Sequence, residues 1–205
     1  MGRPRGQTRG RVVAAALDAL KTKGYAGAST RAIAAIGGFN PGLIFYYFDS
    51  LDDLLVAALA ESSGERLERY RAAVDEADSL QRLLELLGEI YRDDVESGHF
   101  RVVSELVGAS VSRPELAERV VALMEPWLEL AEATVAEVLD DSPLAELASP
   151  RDLALAAVTF YLGANLLTHF VPAQADVTRL LEAAQRLAPL FEPTSPASRP
   201  SPRRR

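Results

Sequence analysis

The sequence predicts an all-α protein in which a small N-terminal group of three helices precedes a larger helical body. Apolar residues recur at helical spacing along nearly the whole chain, and no segment alternates apolar and polar residues as a half-buried strand would. Serine, asparagine and aspartate stand repeatedly just before these apolar runs, where helices begin. A length of 205 residues with 48% hydrophobic content suits one domain or two small ones with a buried core.

The first three predicted helices are short and closely spaced. The first runs from about Gln7 to Lys23 and stops at Gly24, a residue suited to a C-terminal cap. The second begins after Ser29, a plausible N-cap, and is broken by Gly37-Gly38. The third begins at Asn40-Pro41, an N-cap followed by a proline at the first helical position.

Six longer helices are predicted after residue 50, and they form the body. Ser50, with Asp53 three residues on, resembles a capping box, and Ser112 with Glu115 has a similar pattern. Pro126 is expected to kink its helix or break it in two. From residue 193 onward we expect disorder, because proline, serine and arginine can bury almost no apolar surface. The predicted helices run from Leu51 to about Ala77, Ser79 to about Ser97, about Phe100 to Ser110, Ser112 to about Leu139, Ser149 to about Val171, and Asp176 to about Phe191.

The charges are distributed unevenly along the chain. The net charge is −7, yet the first 50 residues carry seven cations and only two anions. The segment from residue 193 adds four arginines, which leaves −16 for the helical body between the two basic ends. A basic end on an acidic body favours a polyanionic partner for that end alone.

Several functional classes lack support in the sequence. The chain has no cysteine, so it has neither disulfides nor thiolate metal sites nor cysteine nucleophiles. His99 and His169 lie too far apart for zinc-ligand spacing, and glycine-rich phosphate motifs are absent. Asp18 interrupts the apolar run Val12–Leu20, which argues against a secretory signal, and no run approaches the roughly 18 apolar residues of a membrane span. We therefore predict a cytoplasmic protein that uses no metal or cofactor and no membrane.

The most informative stretch is residues 29–48, where two short helices are joined by a glycine turn. Gly37-Gly38 permits that turn without steric cost, so the two helices can meet near a right angle. We expect Phe45 and Phe48 to belong to the core of this unit. Such a helix-turn-helix can present the N-terminal residues of its last helix to base edges in a DNA groove. The other expected core residues are Val13, Leu17, Ile33, Ile36, Phe39 and Ile44.

The run from the first helix to Leu55 resembles the DNA-binding domain of TetR/AcrR-type transcriptional regulators. The resemblance covers roughly the first quarter of the chain. It implies a homodimer that binds a pseudo-palindromic operator and pairs through its last two long helices, residues 152–171 and 176–191. It also implies that a small ligand enters the body and releases the DNA. The residues that carry the resemblance are Gly24-Tyr25, Ser29, Ile33-Ala34, Gly38-Phe39-Asn40, Gly42, Phe45-Tyr46-Tyr47-Phe48 and Leu54-Leu55.

The resemblance assigns a set of DNA contacts, although the polar inventory of the third helix is small. Leu43 and Leu51 stand where the family often has a small hydroxyl residue and a lysine. The third helix has no arginine or lysine, so base reading would rest on Asn40 and on apolar contact of Pro41 or Leu43 with thymine methyl groups. Arginines near the start can enter a minor groove or form a solvated basic segment. The predicted DNA-binding residues are Arg31, Asn40, Pro41, Gly42, Leu43, Tyr46 and Tyr47, together with Arg3, Arg5 and Arg9.

The body is expected to hold an apolar cavity with a few polar groups, as a ligand sensor needs. Tyr161, Asn165 and His169 are spaced four apart and would form a polar-edged stripe on one helix. The same residues can equally be hydrogen-bonded core or interface positions. The predicted effector is apolar or aromatic and either uncharged or cationic. The predicted ligand-binding residues are Tyr91, Glu105, Met124, Trp127, Tyr161, Asn165 and His169.

The sequence thus predicts three regions and one main function. Residues 1–50 form a DNA-binding helix-turn-helix domain, residues 51–192 an effector-binding and dimerisation domain, and residues 193–205 a disordered basic tail. The predicted function is that of a sequence-specific DNA-binding transcriptional regulator, a repressor that a small molecule releases from its operator. The alternative is a helical protein–protein adaptor whose helix-turn-helix no longer reads DNA, and an enzyme that uses the body cavity is a weaker one.

Overall fold

The structure is a computed structural model, and it describes residues 5–75, 77, 79–139, 148–170 and 177–190. Within these ranges the chain forms nine α-helices and no strand, as an all-α fold requires. The predictions for Arg3, for the tail from residue 193 and for the side chains of Arg5, Asn165 and His169 fall outside the described part of the protein. The helices are α1 Arg5–Gly27, α2 Thr30–Gly37, α3 Gly42–Tyr47, α4 Leu51–Val74, α5 Leu80–Ser97, α6 His99–Ser110, α7 Pro114–Val138, α8 Pro150–Phe170 and α9 Val177–Leu187, followed by a 3₁₀ turn Ala188–Leu190.

The helix starts agree with the capping residues of the sequence at four places. At α2, α4 and α5 a serine stands at the N-cap, and its hydroxyl accepts a hydrogen bond from the backbone N–H three residues on. Ser149 makes the same bond to the N–H of Asp152 at the start of α8. Such caps satisfy backbone donors that a helix start would otherwise leave unpaired.

One local prediction for α7 is wrong, and of the two outcomes predicted at Pro126 the break does not occur. The N-cap of this helix is Arg113, which makes no side-chain cap bond, so Ser112 and Glu115 form no capping box there. The helix also continues without a break past Pro126. The lost N–H bond and the ring at Pro126 therefore fail to split α7, because packing against α4, α6 and α8 holds both halves in one helix.

One core joins the N-terminal helices to the first helices of the body. Leu20 of α1, Ile33 of α2 and Ile44 of α3 are fully buried, and they belong to the same cluster as Leu54 of α4 and Leu106 of α6. Each such side chain contributes about 1.5–3 kcal/mol through burial. The predicted domain boundary at residue 50 is therefore crossed by a continuous core. We call α1 to α3 the head and the remaining helices the body.

A second, smaller cluster lies at the far side of the body. Tyr91 of α5 and Phe100 of α6 pack edge to face, with ring centroids 5.1 Å apart. Ala164 of α8 joins them, as do Val177 and Leu181 of α9. This cluster fixes α8 and α9 against α5 and α6, so that the last helices lie away from the head.

The head and body are also tied by polar contacts around the end of α1. Gly24 has φ 69° and ψ 179°, and the Glu105 carboxylate packs directly against it. Glu105 Oε2 accepts a hydrogen bond from the Tyr25 backbone N–H at 2.8 Å. The Tyr25 hydroxyl in turn donates to Asp52 Oδ1 at 2.7 Å, and Asp52 Oδ2 lies 2.5 Å from Arg113 Nη2. We call this set, Gly24, Tyr25, Asp52, Glu105 and Arg113, the junction.

Gly24→Ala is expected to destabilise the protein by about 1–3 kcal/mol, because its backbone conformation is open essentially to glycine alone. An added Cβ would also lie 2.6 Å from Glu105 Oε1, so the carboxylate would have to leave the Tyr25 N–H. The free energy of unfolding in urea measures the effect.

The control for this variant is Gly64→Ala, an exposed position inside α4 where a Cβ meets open space. It should raise the free energy of unfolding by roughly 0.5–1 kcal/mol, since alanine is the better helix former. Equal stability of Gly24→Ala and the unmodified protein would contradict the role of this glycine.

Candidate nucleic-acid interface and effector cavity

The turn between α2 and α3 is built from three neighbouring constraints. Gly38 has φ 63°, and its N–H bonds to the Ala34 carbonyl, which closes α2. The Arg11 guanidinium of α1 donates to the Gly37 carbonyl at 3.0 Å. A Cβ at Gly37 would lie 2.1 Å from the Phe39 ring, so the ring packs where a side chain would be. The predicted glycine turn is confirmed, and Arg11 is a support for it that the sequence did not reveal.

The helix α3 begins one residue later than predicted, with Pro41 rather than Asn40 at the N-cap, yet Asn40 still bonds to its first residue. The Asn40 Oδ1 accepts a hydrogen bond from the Gly42 N–H at 2.8 Å, and the Asn40 carbonyl accepts one from the Leu43 N–H at 2.9 Å. Pro41 has helical φ and ψ of −52° and −32°. The side-chain oxygen of Asn40 is therefore engaged in capping, and its amide nitrogen remains as the donor that can face a partner.

The two sides of α3 differ sharply in burial. Ile44 is fully buried and Phe48, just after the helix, is 7% exposed, as expected for the core. Phe45 is 59% exposed, so the prediction that it is a core residue is wrong. Each residue turns the helix by about 100°, and Phe45 follows directly after the inward-facing Ile44. The expected core residue Ile36 is likewise 40% exposed.

The outward face of α3 consists of the exposed residues Pro41, Gly42, Phe45 and Tyr46. Tyr46 is 58% exposed, and its ring meets the ring of the half-buried Tyr47 edge to face at 4.9 Å. Leu43 and Tyr47 both pack partly against the head core. Of the six candidate DNA contacts at α3, four are thus exposed: Asn40, Pro41, Gly42 and Tyr46.

The arginines near this surface occupy different places. Arg31 is exposed in the first turn of α2. Arg9 lies inside α1, with its guanidinium carbon 5.0 Å from the centre of the Phe48 ring, and Arg5 is the first residue of that helix. Arg9 is therefore held beside the head by a cation–π contact.

An apolar cavity lies in the body between α4, α5, α6, α7 and α8. Its volume, taken as the space open to the centres of water-sized molecules, is about 180 Å³. Aliphatic and aromatic side chains form most of the wall, which is typical of small-molecule sites. The described wall consists of Leu59, Ser63, Tyr70, Val74, Leu83, Leu87, Ile90, Asp94, His99, Val103, Val107, Val120, Leu123, Met124, Trp127, Leu130, Ala131, Thr134, Val135, Ala157, Val158, Tyr161 and Leu162.

One corner of the cavity is polar, and Asp94 is at its centre. This carboxylate is 1% exposed, and it accepts hydrogen bonds from Tyr161 at 2.5 Å, from Tyr70 at 2.9 Å and from the Arg66 guanidinium. Arg66 also pairs with Asp93 at 2.8 Å. We call Arg66, Tyr70, Asp94 and Tyr161 the polar corner. It ties α4, α5 and α8 together and leaves its buried charges paired, as low polarity demands.

Burial also governs proton binding around the cavity. It raises the pKa of Asp94 and also the pKa of Tyr161, whose phenol donates a hydrogen bond to Asp94. His99 is buried beside Arg66 and Lys21, and burial first, then these charges, lowers its pKa to about 3. Its Nδ1 lies 3.2 Å from the Ser62 hydroxyl. The histidine therefore adds a neutral polar group to the wall.

The predicted ligand-binding residues do not all meet at this cavity. Met124, Trp127 and Tyr161 line it. Tyr91 packs behind Tyr161 through the Phe100 ring, whose centroid lies 4.6 Å from that of Tyr161. Glu105 belongs to the junction instead.

Sequence reasoning missed the polar corner apart from Tyr161. The spacing of Arg66 and Tyr70, four apart on one helix face, was an available signal, and the adjacent Asp93 and Asp94 were another. Nothing in the sequence indicated that α5 would turn one of two neighbouring aspartates inward and leave the other half exposed.

Neither a metal-binding cluster nor a membrane-spanning helix occurs in the described part of the chain. No group of three or more His, Asp or Glu residues there has an arrangement that could hold a metal ion. None of the described helices is both long and apolar enough to cross a membrane.

Comparison with known proteins agrees with this architecture. A family model described as bacterial regulatory proteins, tetR family, matches residues 12–58, which include α2, the turn and α3. The HTH-type transcriptional regulator CymR from Pseudomonas putida is 29% identical over 123 residues, which are 58% of this chain and 59% of CymR. The match thus spans less than two thirds of that relative.

Two solved structures extend the likeness beyond the head. A TetR-family member from Streptomyces coelicolor A3 is 29% identical, with a TM-score of 0.65 over 91% of this chain and 99% of that one. FadR from Bacillus subtilis, in complex with stearoyl-CoA, has a TM-score of 0.69 over 87% and 96% of the two chains. Its identity is only 17%, so it shows a shared fold. Residues 12–58 thus match the model of the tetR family of bacterial regulatory proteins, and the chain as a whole is similar to a solved member of that family.

Proposed function

We propose that this protein is a sequence-specific DNA-binding transcriptional repressor that leaves its operator when a small apolar molecule fills the body cavity. The outward face of α3, held by a capped turn within residues 12–58, is the observation that carries the proposal. A helix of this kind fits the major groove and presents its first residues to base edges. The general role of a DNA-binding regulator is supported by the match to the tetR family model.

In the proposed complex, the head contacts DNA through a few neutral groups and a few cations. The amide nitrogen of Asn40 donates to a base edge, and Pro41 and Leu43 touch thymine methyl groups. Gly42 lets the backbone approach closely. The hydroxyls of Tyr46 and Tyr47 donate to phosphate oxygens. Among the arginines, Arg31 and Arg9 lie on the head surface, while Arg3 and Arg5 extend the same basic region along the chain.

The cavity supports an effector that is apolar or aromatic, with one hydrogen-bonding group. Its wall is largely aliphatic, and the described charges of its polar corner are already paired. An anionic ligand would lie against the Asp94 carboxylate, so an uncharged or cationic ligand is favoured. That FadR from Bacillus subtilis binds stearoyl-CoA supports the idea that this fold encloses a long apolar ligand. Met124, Trp127 and Tyr161 would contact the effector, and Tyr91 would support Tyr161 from behind. Asn165 and His169 stay candidates from the sequence alone.

A filled cavity can act on the head through α4 and α7. Both helices line the cavity, and both also carry charges that meet at the head. Asp52 and Asp53 in the first turn of α4 pair with Arg113 and Arg119 at the start of α7. A ligand that separates α4 from α7 would therefore move the start of α4, on which α1 packs.

We further propose that two copies pair through α8 and α9. Exposed large apolar side chains occur along both helices, which a lone chain would leave in water. A two-fold axis through such a surface would place two heads side by side, as a pseudo-palindromic operator requires. The exposed residues are Leu155, Phe160, Leu166 and Leu167 of α8 and Leu180 and Leu187 of α9.

The first prediction from this proposal concerns DNA binding. The protein should bind a duplex from its own promoter region, and affinity should fall steeply as salt rises, because phosphate contacts release counterions. Tyr46→Phe should weaken binding about fivefold and equally for all sequences, the value of one lost hydrogen bond. Fluorescence anisotropy at several salt concentrations measures both effects.

Tyr91→Phe, the same chemical change at a buried position remote from α3, is the control and should bind DNA normally. Relaxed preference at a single base pair in Tyr46→Phe would make Tyr46 a base reader instead. If the unmodified protein did not bind the duplex even at low salt, the proposed function would be wrong, and a protein–protein adaptor would be favoured.

The second prediction concerns the cavity. The neutral apolar dye N-phenyl-1-naphthylamine should bind to the protein and gain fluorescence. Ala131→Phe places a ring in the cavity wall and should weaken dye binding at least roughly tenfold, because the volume is lost and apolar burial drives binding. Titration of the dye into each variant measures the change.

Ala136→Phe is the matched control, since Ala136 is exposed on the same helix and lies outside the cavity wall. Both variants should still bind DNA. Dye binding that is equally weak in both variants, or equally strong, would show that the dye does not occupy this cavity.

The third prediction concerns the dimer. Leu167→Asp places a charge on the exposed apolar face of α8, where Leu167 is 55% exposed, and should yield monomers in sedimentation velocity. Val111→Asp changes a residue that is 85% exposed on the α6–α7 connection and should remain dimeric. A dimer in the first variant would place the interface elsewhere.

A further inference from the structure

We propose that Phe45 determines the operator specificity of this protein by packing against the C5 methyl groups of thymines in the major groove. The inference rests on the proposed function, because it names the feature of the DNA that α3 recognises. It concerns a residue whose sequence position suggested a core role and whose structural position is on the surface. Phe45 thereby becomes the main base reader of the helix.

The first argument is the position of the ring. Phe45 is 59% exposed in the middle of the outward face of α3, between Gly42, one turn earlier, and the equally exposed Tyr46. Gly42 has no side chain that could cover the ring. An aromatic side chain left this far in water contributes little to folding, and it gains apolar contact only when a partner covers it.

The second argument is what the rest of the face lacks. Residues 40–48 contain no arginine, lysine, glutamine or glutamate, the side chains that read guanine, adenine or cytosine edges. Asn40 is the one amide, and its oxygen is bonded to the Gly42 N–H at 2.8 Å. Bidentate reading of adenine uses both the oxygen and the nitrogen of the amide, so the cap competes with it.

The third argument is the chemistry of the groove. Among the base-pair edges in the major groove, the thymine C5 methyl is the apolar feature, and side chains such as phenylalanine can contact it. A face whose largest exposed side chain is a phenyl ring, and whose polar readers are few, is complementary to such methyl groups. The occupant of this apolar surface is therefore thymine-bearing DNA.

The experiment removes the methyl groups without changing base pairing. A duplex that binds the full-length protein is first chosen by footprinting or selection. Each thymine is then replaced, one at a time, by deoxyuridine. At one or more thymines in each half-site, the affinity should fall about fourfold, the value of one lost buried carbon. Thymines outside the footprint should show no change.

Variants assign the effect to the ring. Phe45→Ser should weaken binding and lose the discrimination between thymine and uracil at those positions, whereas Phe45→Leu should keep part of it. Ile36→Ala is the matched control, because Ile36 is an exposed apolar residue of α2 rather than α3, and it should keep the full ratio. Thermal unfolding of each variant should match that of the unmodified protein, since both side chains are already partly in water.

The outcomes separate this inference from the proposed function. If the protein binds the duplex tightly but no deoxyuridine substitution changes the affinity, methyl reading by Phe45 is overturned and DNA binding stands. An unchanged ratio of the affinities for the thymine and deoxyuridine duplexes in Phe45→Ser also overturns methyl reading by Phe45. That result would assign the methyl contact to Pro41 or Leu43. If no duplex binds at all, the proposed function itself fails.

Discussion

The arrangement of the described molecule depends on α4 being a single uninterrupted helix that runs from the core of the head to the wall of the cavity. Its first turns bury Leu54 and Leu55 in the cluster that also holds α1, α2 and α3. Further along, Ser63 and Tyr70 form part of the cavity wall, and Arg66 holds the polar corner. Because packed helices move as rigid units, a displacement at the cavity end of α4 cannot be absorbed within the helix. It reaches the head.

A displacement of α4 would act on the head through the junction. Asp52 and Asp53 lie in the first turn of α4, where negative charge is favourable, and their partners come from α7. These pairs are partly exposed, so each contributes at most about 1 kcal/mol. Burial even raises the pKa of Asp52. The apolar core therefore supplies the cohesion of head and body, while the weak ion pairs between α4 and α7 can be rearranged at small cost.

The parts of the fold that the sequence predicted are those determined by local chemistry. Serine caps at α2, α4, α5 and α8, and the glycines after α2, act within three or four residues, so their effect is visible in the sequence. The errors have tertiary causes. Pro126 lies in a helix that three neighbouring helices hold together, and Phe45 turns outward because Ile44 and Phe48 already occupy the side facing the core.

The candidate sites divide along the same line. The α3 surface could be predicted because its residues are consecutive in the chain. The polar corner could not, because Asp94 meets Arg66 and Tyr161 across separations of 28 and 67 residues. Glu105 shows the same limitation, since its bond to the Tyr25 N–H spans 80 residues. A carboxylate in a sequence does not reveal whether it will face a ligand or cap the end of another helix.

The polar corner also offers a way for a ligand in the apolar cavity to change the positions of the surrounding helices. Asp94 accepts hydrogen bonds in a buried site from three donors that come from α4 and α8, so these bonds hold the two helices at hydrogen-bonding distance. A ligand that bonds to the Tyr161 hydroxyl, or that pushes α8 outward, would weaken one of these hydrogen bonds. The free-energy cost of burying the Asp94 carboxylate would then be less well compensated. In the proposed regulator, ligand binding and the spacing of α4 from α8 are therefore thermodynamically linked, and a ligand with different affinity for the two spacings would shift the balance between them. Since α4 begins at the junction, the same balance would set the position of the head.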